Sequence, residues 1–203
     1  MTEVTRPTRT GTLFLISVLG LFLELLLIRW VGTEIRIFAY LQNTVLVVCF
    51  LGLGMGCWDS RRPFVLRELL IPLLGLVTLL ALPPTRMFLG HTITDMLGQV
   101  GGVDFWGAGS ASGAKAVALA AMGLTLTGGL MYLLWAIFVP VGRLLGRLLD
   151  EHPRPLRAYS VNVVGSLVGI WLFVGCSALS LAPVWWFAVF AGGAALMLGA
   201  GGK

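Results

Sequence analysis

Six apolar runs govern what this chain can become. They fall at about 12–32, 37–57, 64–83, 116–141, 159–178 and 181–200. An α-helix needs roughly 20 apolar residues to cross the hydrocarbon of a bilayer, and each run meets that length. Of the 203 residues, 58% are hydrophobic and 11% charged, and the mean hydropathy is +0.94. Too few polar side chains remain to coat a soluble core of this size, which excludes an ordinary soluble enzyme domain. The expected fold is an all-α polytopic membrane bundle of about six transmembrane helices, with residues 1–203 forming a single transmembrane domain.

A net charge of +5 could point to nucleic acid, but the basic residues sit in short clusters between apolar runs. There they set orientation in the membrane. With the N-terminus cytoplasmic, the inner segments hold Arg6, Arg9, Arg61, Arg62, Arg67, Arg143, Arg147, Arg154, Arg157 and Lys203. The outer segments hold Arg29, Arg36, Arg86 and Lys115. Ten against four places both termini inside. The basic N-terminus followed by an apolar stretch resembles a signal peptide. The stretch is long, contains Glu24 and lacks a small-residue cleavage site, so it reads as a retained helix.

Residues 83–115 form the longest connection, on the outer side. Leu89, Ile93, Met96, Leu97 and Val100 recur at helical spacing after Pro83-Pro84, which predicts an amphipathic helix on the outer membrane face. A glycine-rich "GGVDFWGAGSASGAK" follows. The inner segment 142–158 begins as a basic helical extension and is expected to break at Pro153 and Pro155.

The stretch "LELLLIRWVGTEIR" carries charge into the first run. Glu24 lies about 18 Å along a helix starting near Thr12, inside the hydrocarbon, where an ionised side chain needs a partner or water. Arg29 is close enough to the outer surface to snorkel. Depth matching offers Asn43 on the second run, with Gln42, and Thr125 on the fourth as companions of Glu24. Two readings stay open: a buried polar site that binds a cation or relays protons, and a protonated or hydrogen-bonded Glu that fixes packing. Glu34 and Arg36 fall in the outer turn beside Arg29, where a solvated ion pair is expected.

Tyr159, Asn162, Ser166 and Gly169 share one helix face. Asn162 is either packing glue or a functional polar contact, with Tyr132 a candidate partner. Gly165 with Gly169, and Gly52 with Gly56, form GxxxG pairs that let helices approach closely. Asp59, Arg61 and Arg62 in "GMGCWDSRRP" resemble the loop between the second and third helices of major facilitator transporters, where an Asp and arginines latch the cytoplasmic side. The alternative is a basic loop that sets orientation. Cys49, Cys57 and Cys176 share no CxxC spacing and read as small buried hydrophobes. His91 and His152 stand alone, so no metal site is expected. No GxSxG, HExxH or P-loop occurs.

"FLELLLIRWVGTEIRIFAYLQNTVLVVCFLGLGMGC", "FVPVGRLLGRLLDE" and "RAYSVNVVGSLVGIWLF" resemble the membrane region of the integral-membrane spermidine-synthase-like proteins, across about residues 12–178. In that family a multi-helix, major-facilitator-like region precedes a soluble aminopropyltransferase-like domain. The resemblance implies a membrane domain, in a bacterial-type inner membrane, that anchors or serves a polyamine-related enzyme domain. This sequence contains no such domain, so no catalytic residue and no cofactor is assigned, and aminopropyl transfer would need the missing part. The chain is then a fragment, a trimmed chain or a stand-alone membrane subunit. The alternatives are a half-transporter-like module that moves or senses a small cationic solute, and an accessory subunit of a membrane complex. Expected partners are the lipid bilayer and either a soluble aminopropyltransferase-like domain or a second copy of the chain, with no nucleic acid.

Overall fold

The computed structural model describes residues 7–35, 38, 42–98 and 114–201. Among these, every regular element is a helix: α1 Pro7–Glu34, α2 Gln42–Trp58, α3 Leu66–Ala81, α4 Pro83–Gly98, α5 Ala114–Asp150, α6 Pro155–Ala178 and α7 Pro183–Gly201. Each of the six apolar runs coincides with one helix, and α4 occupies the long connection between the third and fourth. Three helical stretches are long and apolar enough to cross a membrane: Thr10–Glu34, Val117–Asp150 and Pro155–Ala178. The apolar α2 is shorter, at 17 residues. It rises about 26 Å, against a hydrocarbon core of about 30 Å.

Proline marks where helices begin. Pro83, Pro155 and Pro183 each occupy the first position of α4, α6 and α7, where the missing N–H is one that the helix leaves unpaired anyway. The segment 142–158 thus breaks where its two prolines suggest, over residues 151–154. α5 runs on to Asp150, and Pro155 starts α6 from Arg154, whose extended backbone (φ −127°, ψ 94°) is the N-cap. The α6–α7 link closes by backbone bonds alone. Ser180 N–H donates to Ser177 O (3.0 Å) and Leu181 N–H to Cys176 O (3.3 Å). Ser180 sits between them at φ 51°. This is the left-handed helix stop that glycine usually occupies.

The described helices divide into two compact units. The first comprises residues 1–27, 53–65 and 138–203, and the second residues 28–52 and 66–137. In the first, α1 is the central element. Its Gly20 faces Val141 of α5, its Leu19 faces Gly193 of α7, and its Phe14, Ser17 and Val18 face Gly165 and Gly169 of α6. Helices on several sides explain why α1 is apolar all round rather than along one stripe.

Contact order along these pairs gives helix direction. Thr10 meets His152 and Gly20 meets Val141, so α1 and α5 are antiparallel. Val18 meets Gly169 and Phe22 meets Phe173 with ring centroids 5.9 Å apart, so α1 and α6 are parallel. Leu53 meets Gly142 and Cys57 meets Gly146, so the end of α2 runs parallel to α5.

Glycine makes the closest crossings. A Cβ on Gly165 would lie 2.8 Å from Phe14 O and 2.8 Å from the Ser17 Cβ. On Gly169 it would lie 3.1 Å from the Val18 carbonyl carbon. Gly56 meets Gly142, where a Cβ would sit 2.8 Å from the opposing Cα, and on Gly146 it would sit 2.9 Å from Cys57 Cα. These are backbone-on-backbone contacts that no larger residue fits.

In the second unit, α3 buries Leu69, Leu73, Leu76 and Leu80, and α2 buries Val45 and Cys49. α3 packs against α4. On α4, Leu89 and Ile93 are buried and Met96 is half-buried. The Leu97 side chain, Val100 and most of the glycine-rich stretch lie outside the described residues. None of the three cysteines forms a disulfide; Cys49 and Cys176 are buried and Cys57 half-buried.

Two outcomes follow for thermal unfolding of the purified protein. Gly169→Ala forces a methyl into the Val18 backbone and should cost about 1–3 kcal/mol. Ser180→Gly removes the strain of a side chain at positive φ and should raise stability by up to about 1 kcal/mol.

Candidate functional site

Glu24 is the exceptional residue of the first unit. It lies in the apolar stretch of α1, is 1% exposed, and neither carboxylate oxygen has a hydrogen-bond partner among the described residues. Its helix neighbours Leu23, Leu26 and Leu27 are fully buried. A buried polar group without a partner is rare and costly, and a carboxylate more so than any neutral group. Trp186 Nε1 on α7 is also buried without a partner among the described residues. Its ring packs against Phe173 at 5.4 Å.

Glu24 ends a polar row. Thr10, Ser17 and Glu24 are spaced seven apart, which on a 3.6-residue helix places them nearly in line over about 21 Å. Thr10 Oγ1 lies 3.4 Å from His152 Nε2. Ser17 Oγ lies 2.7 Å from Leu13 O and 2.8 Å from Asn162 Oδ1. One hydroxyl hydrogen serves one acceptor at a time, so Ser17 has two alternative bonds. Between Ser17 and Glu24 on this face stand Gly20 and Leu21, with Val141 of α5 packed over Gly20, so successive members of the row are about 10 Å apart.

The other expected residues are distributed as follows. Asn162 is half-buried and its partner is Ser17, while Tyr132 stacks on Trp135 with centroids 5.7 Å apart. Tyr159 is 66% exposed. Asn43 and Gln42 are exposed on α2, and Thr125 is exposed on α5 with its hydroxyl donating to Ala121 O of its own helix (2.8 Å). These three belong to the second unit. So does Glu34, which pairs with Arg86 at 3.4 Å. Arg36, the partner expected for it, lies outside the described residues. Arg29 is exposed. Gly52 is buried within the second unit, and Gly56, Gly165 and Gly169 form the crossings described above.

Just past the end of α2, Asp59 gathers two arginines. Arg143 Nη2 lies 2.9 Å and Arg62 Nε 3.3 Å from Asp59 Oδ2. Arg147 donates to the backbone oxygens of Ser60, at 3.3 Å, and Arg62. Ser60 Oγ donates to Asp150 at 3.3 Å. A cavity of about 500 Å³ opens beside this cluster, lined by Ser60, Arg61, Pro63, Arg147, Asp150 and Glu151. Asp59 and Arg62 thus come together as an ion pair, Arg61 lines the cavity, and Arg143 is the member that the sequence offered only as one more inner charge. Ser17 was likewise overlooked, although its place one heptad before Glu24 marked it. Among the described residues no group of three or more His, Cys, Asp or Glu could hold a metal ion.

Compared with protein-family models, with curated proteins and with solved structures, the chain gives no match in any of the three.

The two arginines on Asp59 are not equivalent. The Arg143 side chain is 11% exposed and that of Arg62 70%. Arg143→Gln should therefore lower unfolding stability by about 1–3 kcal/mol, since it leaves a half-buried carboxylate short of its inner partner. Arg62→Gln should change it by no more than about 0.5 kcal/mol. Equal losses in paired melting curves would show that this ranking is wrong.

Proposed function

We propose that this chain is a multi-pass helical module of a bacterial-type inner membrane that takes a small cation into the bilayer interior at Glu24. The observation that carries the proposal is the enclosed carboxyl group with no partner among the described residues. Ionisable residues inside membrane segments are expensive and mark ion or proton pathways. A module that merely anchored a soluble domain would have no use for that cost.

The membrane setting draws support from the outward side chains. Val163, Val164, Leu167, Trp171 and Val174 of α6, and Phe50, Leu51 and Met55 of α2, are exposed. Large apolar side chains exposed in such number call for lipid or a partner. Six crossings with both termini cytoplasmic fit the helix directions: α1 antiparallel to α5, parallel to α6, and the end of α2 parallel to α5. In this arrangement the Asp59–Arg143 cluster lies at the cytoplasmic side, and α4 lies at the outer interface. Trp58, 87% exposed at the end of α2, suits the headgroup level, where its amphipathic ring is favoured.

The second reading is a membrane platform for an aminopropyltransferase-like domain, as the resemblance implies. Exposed Arg61, Arg62, Arg154 and Arg157 give it a basic docking face at the same end.

Liposomes containing the purified chain test the first reading. Gradients of protons, potassium or spermidine are imposed in turn, and a potential-sensitive dye reports charge movement. At least one gradient should depolarise the vesicles faster than in protein-free controls, and Glu24→Gln should return the rate to the control level. A Glu24→Gln protein that matches the parent under every gradient would refute it.

A further inference from the structure

The enclosure of Glu24 leaves little room for an organic cation. A proton is the one cation that needs no cavity, and it also removes the charge that makes burial costly. The packed helices offer nothing else. The antiparallel register set by Thr10 with His152 and Gly20 with Val141 puts Glu24 level with about Phe138 of α5. The segment 134–141 there has no charged residue. The parallel register set by Val18 with Gly169 and Phe22 with Phe173 puts it level with about Gly175 of α6. The one titratable side chain at that level is the Cys176 thiol. α7 carries no charged or titratable residue between Pro183 and Gly201. The charges of the unit gather instead at the inner end: Asp59, Arg61 and Arg62 after α2, Arg143, Arg147 and Asp150 on α5, Glu151 and Arg154 in the link, and Arg157 at the start of α6.

That end also holds a group suited to pass a proton. His152 Nδ1 lies 3.1 Å from the Arg154 N–H and 3.0 Å from the Arg154 carbonyl oxygen. A neutral ring accepts from the N–H, and a protonated ring donates to the carbonyl, so the backbone of Arg154 supplies a partner for either state. The other nitrogen faces Thr10 Oγ1, the first member of the row that ends at Glu24. Ser17, in the middle, has two acceptors for one hydrogen and can reorient.

We propose that Glu24 is a reversible proton site filled from the His152 end, on the side of α1 that carries Thr10 and Ser17, with transient water carrying the proton across the steps of about 10 Å between them. This rests on reading Glu24 as a cation site and names the cation. Uptake turns the carboxylate into a carboxylic acid by forming one O–H bond, with the proton drawn from water at the His152 end. Release reverses the step.

Infrared difference spectroscopy of the full chain in lipid nanodiscs tests the site and the route separately. After a jump to lower pH, a protonated-carboxyl stretching band should grow in. It should be missing in Glu24→Gln and present but shifted in Glu24→Asp, which guards against a misfolded Gln variant. Ser17→Ala and His152→Gln should leave the amplitude unchanged and slow its appearance several-fold. A purely structural role would move melting temperature without separating rate from amplitude. A carboxyl signal that does not respond to pH overturns the site, and parental kinetics in both Ser17→Ala and His152→Gln overturn the route. If potassium or spermidine drives Glu24-dependent depolarisation while the carboxyl band stays silent, the cation-handling function stands and the proton assignment falls.

Discussion

The arrangement of the first unit depends on how closely α6 lies against α1. Gly165 and Gly169 present bare backbone to Phe14, Ser17 and Val18, and in hydrocarbon this kind of contact is what holds helices together. Lipid tails are as apolar as leucine, so association rests on packing and on polar bonds rather than on expulsion of water. The crossing supplies both. It brings the Ser17 hydroxyl within 2.8 Å of Asn162, and it covers the side of α1 from which Phe22 reaches Phe173. With α5 and α7 on other sides, α1 becomes an interior helix, and Glu24 is shut away from solvent as a result.

The two ends of the unit manage polarity differently. At the Asp59 end charges gather partners, Asp59 with Arg143 and Arg62, Arg147 with two backbone carbonyls, and Asp150 with Ser60, while Arg61, Arg154 and Arg157 are exposed. Within the apolar length of α1, the carboxyl group of Glu24 has no partner among the described residues. The same chain therefore satisfies its polar groups where water could have done so and leaves one unsatisfied where water is excluded. Proteins retain such a group when its discomfort has a use.

Much of this was legible in the sequence, because hydrophobic run length is a direct physical requirement of a bilayer. The six runs found their helices, and Glu24 stood out as a charge where charges are expensive. Helix ends were less legible. Pro155 breaks a helix or starts one depending on whether the preceding residue is extended, and Arg154 decides that through its backbone alone. Partners were least legible. Asn162 could have faced Tyr132 by depth, but its bond to Ser17 spans 145 residues, and no local pattern encodes which of several equally deep helices will be adjacent. Glycine spacing announced close crossings at Gly56 and Gly169 without saying that Gly142 and Gly146 on α5 or the backbone of Val18 would receive them.

The central place of α1 has a consequence for how the unit folds. Its covering contacts, such as Gly20 with Val141 and Val18 with Gly169, join residues far apart in the sequence, and non-local contacts of this kind are slow to form. Until they close, Glu24 lacks the neighbours that isolate it, so its seclusion is acquired late, as a product of assembly rather than of its own helix.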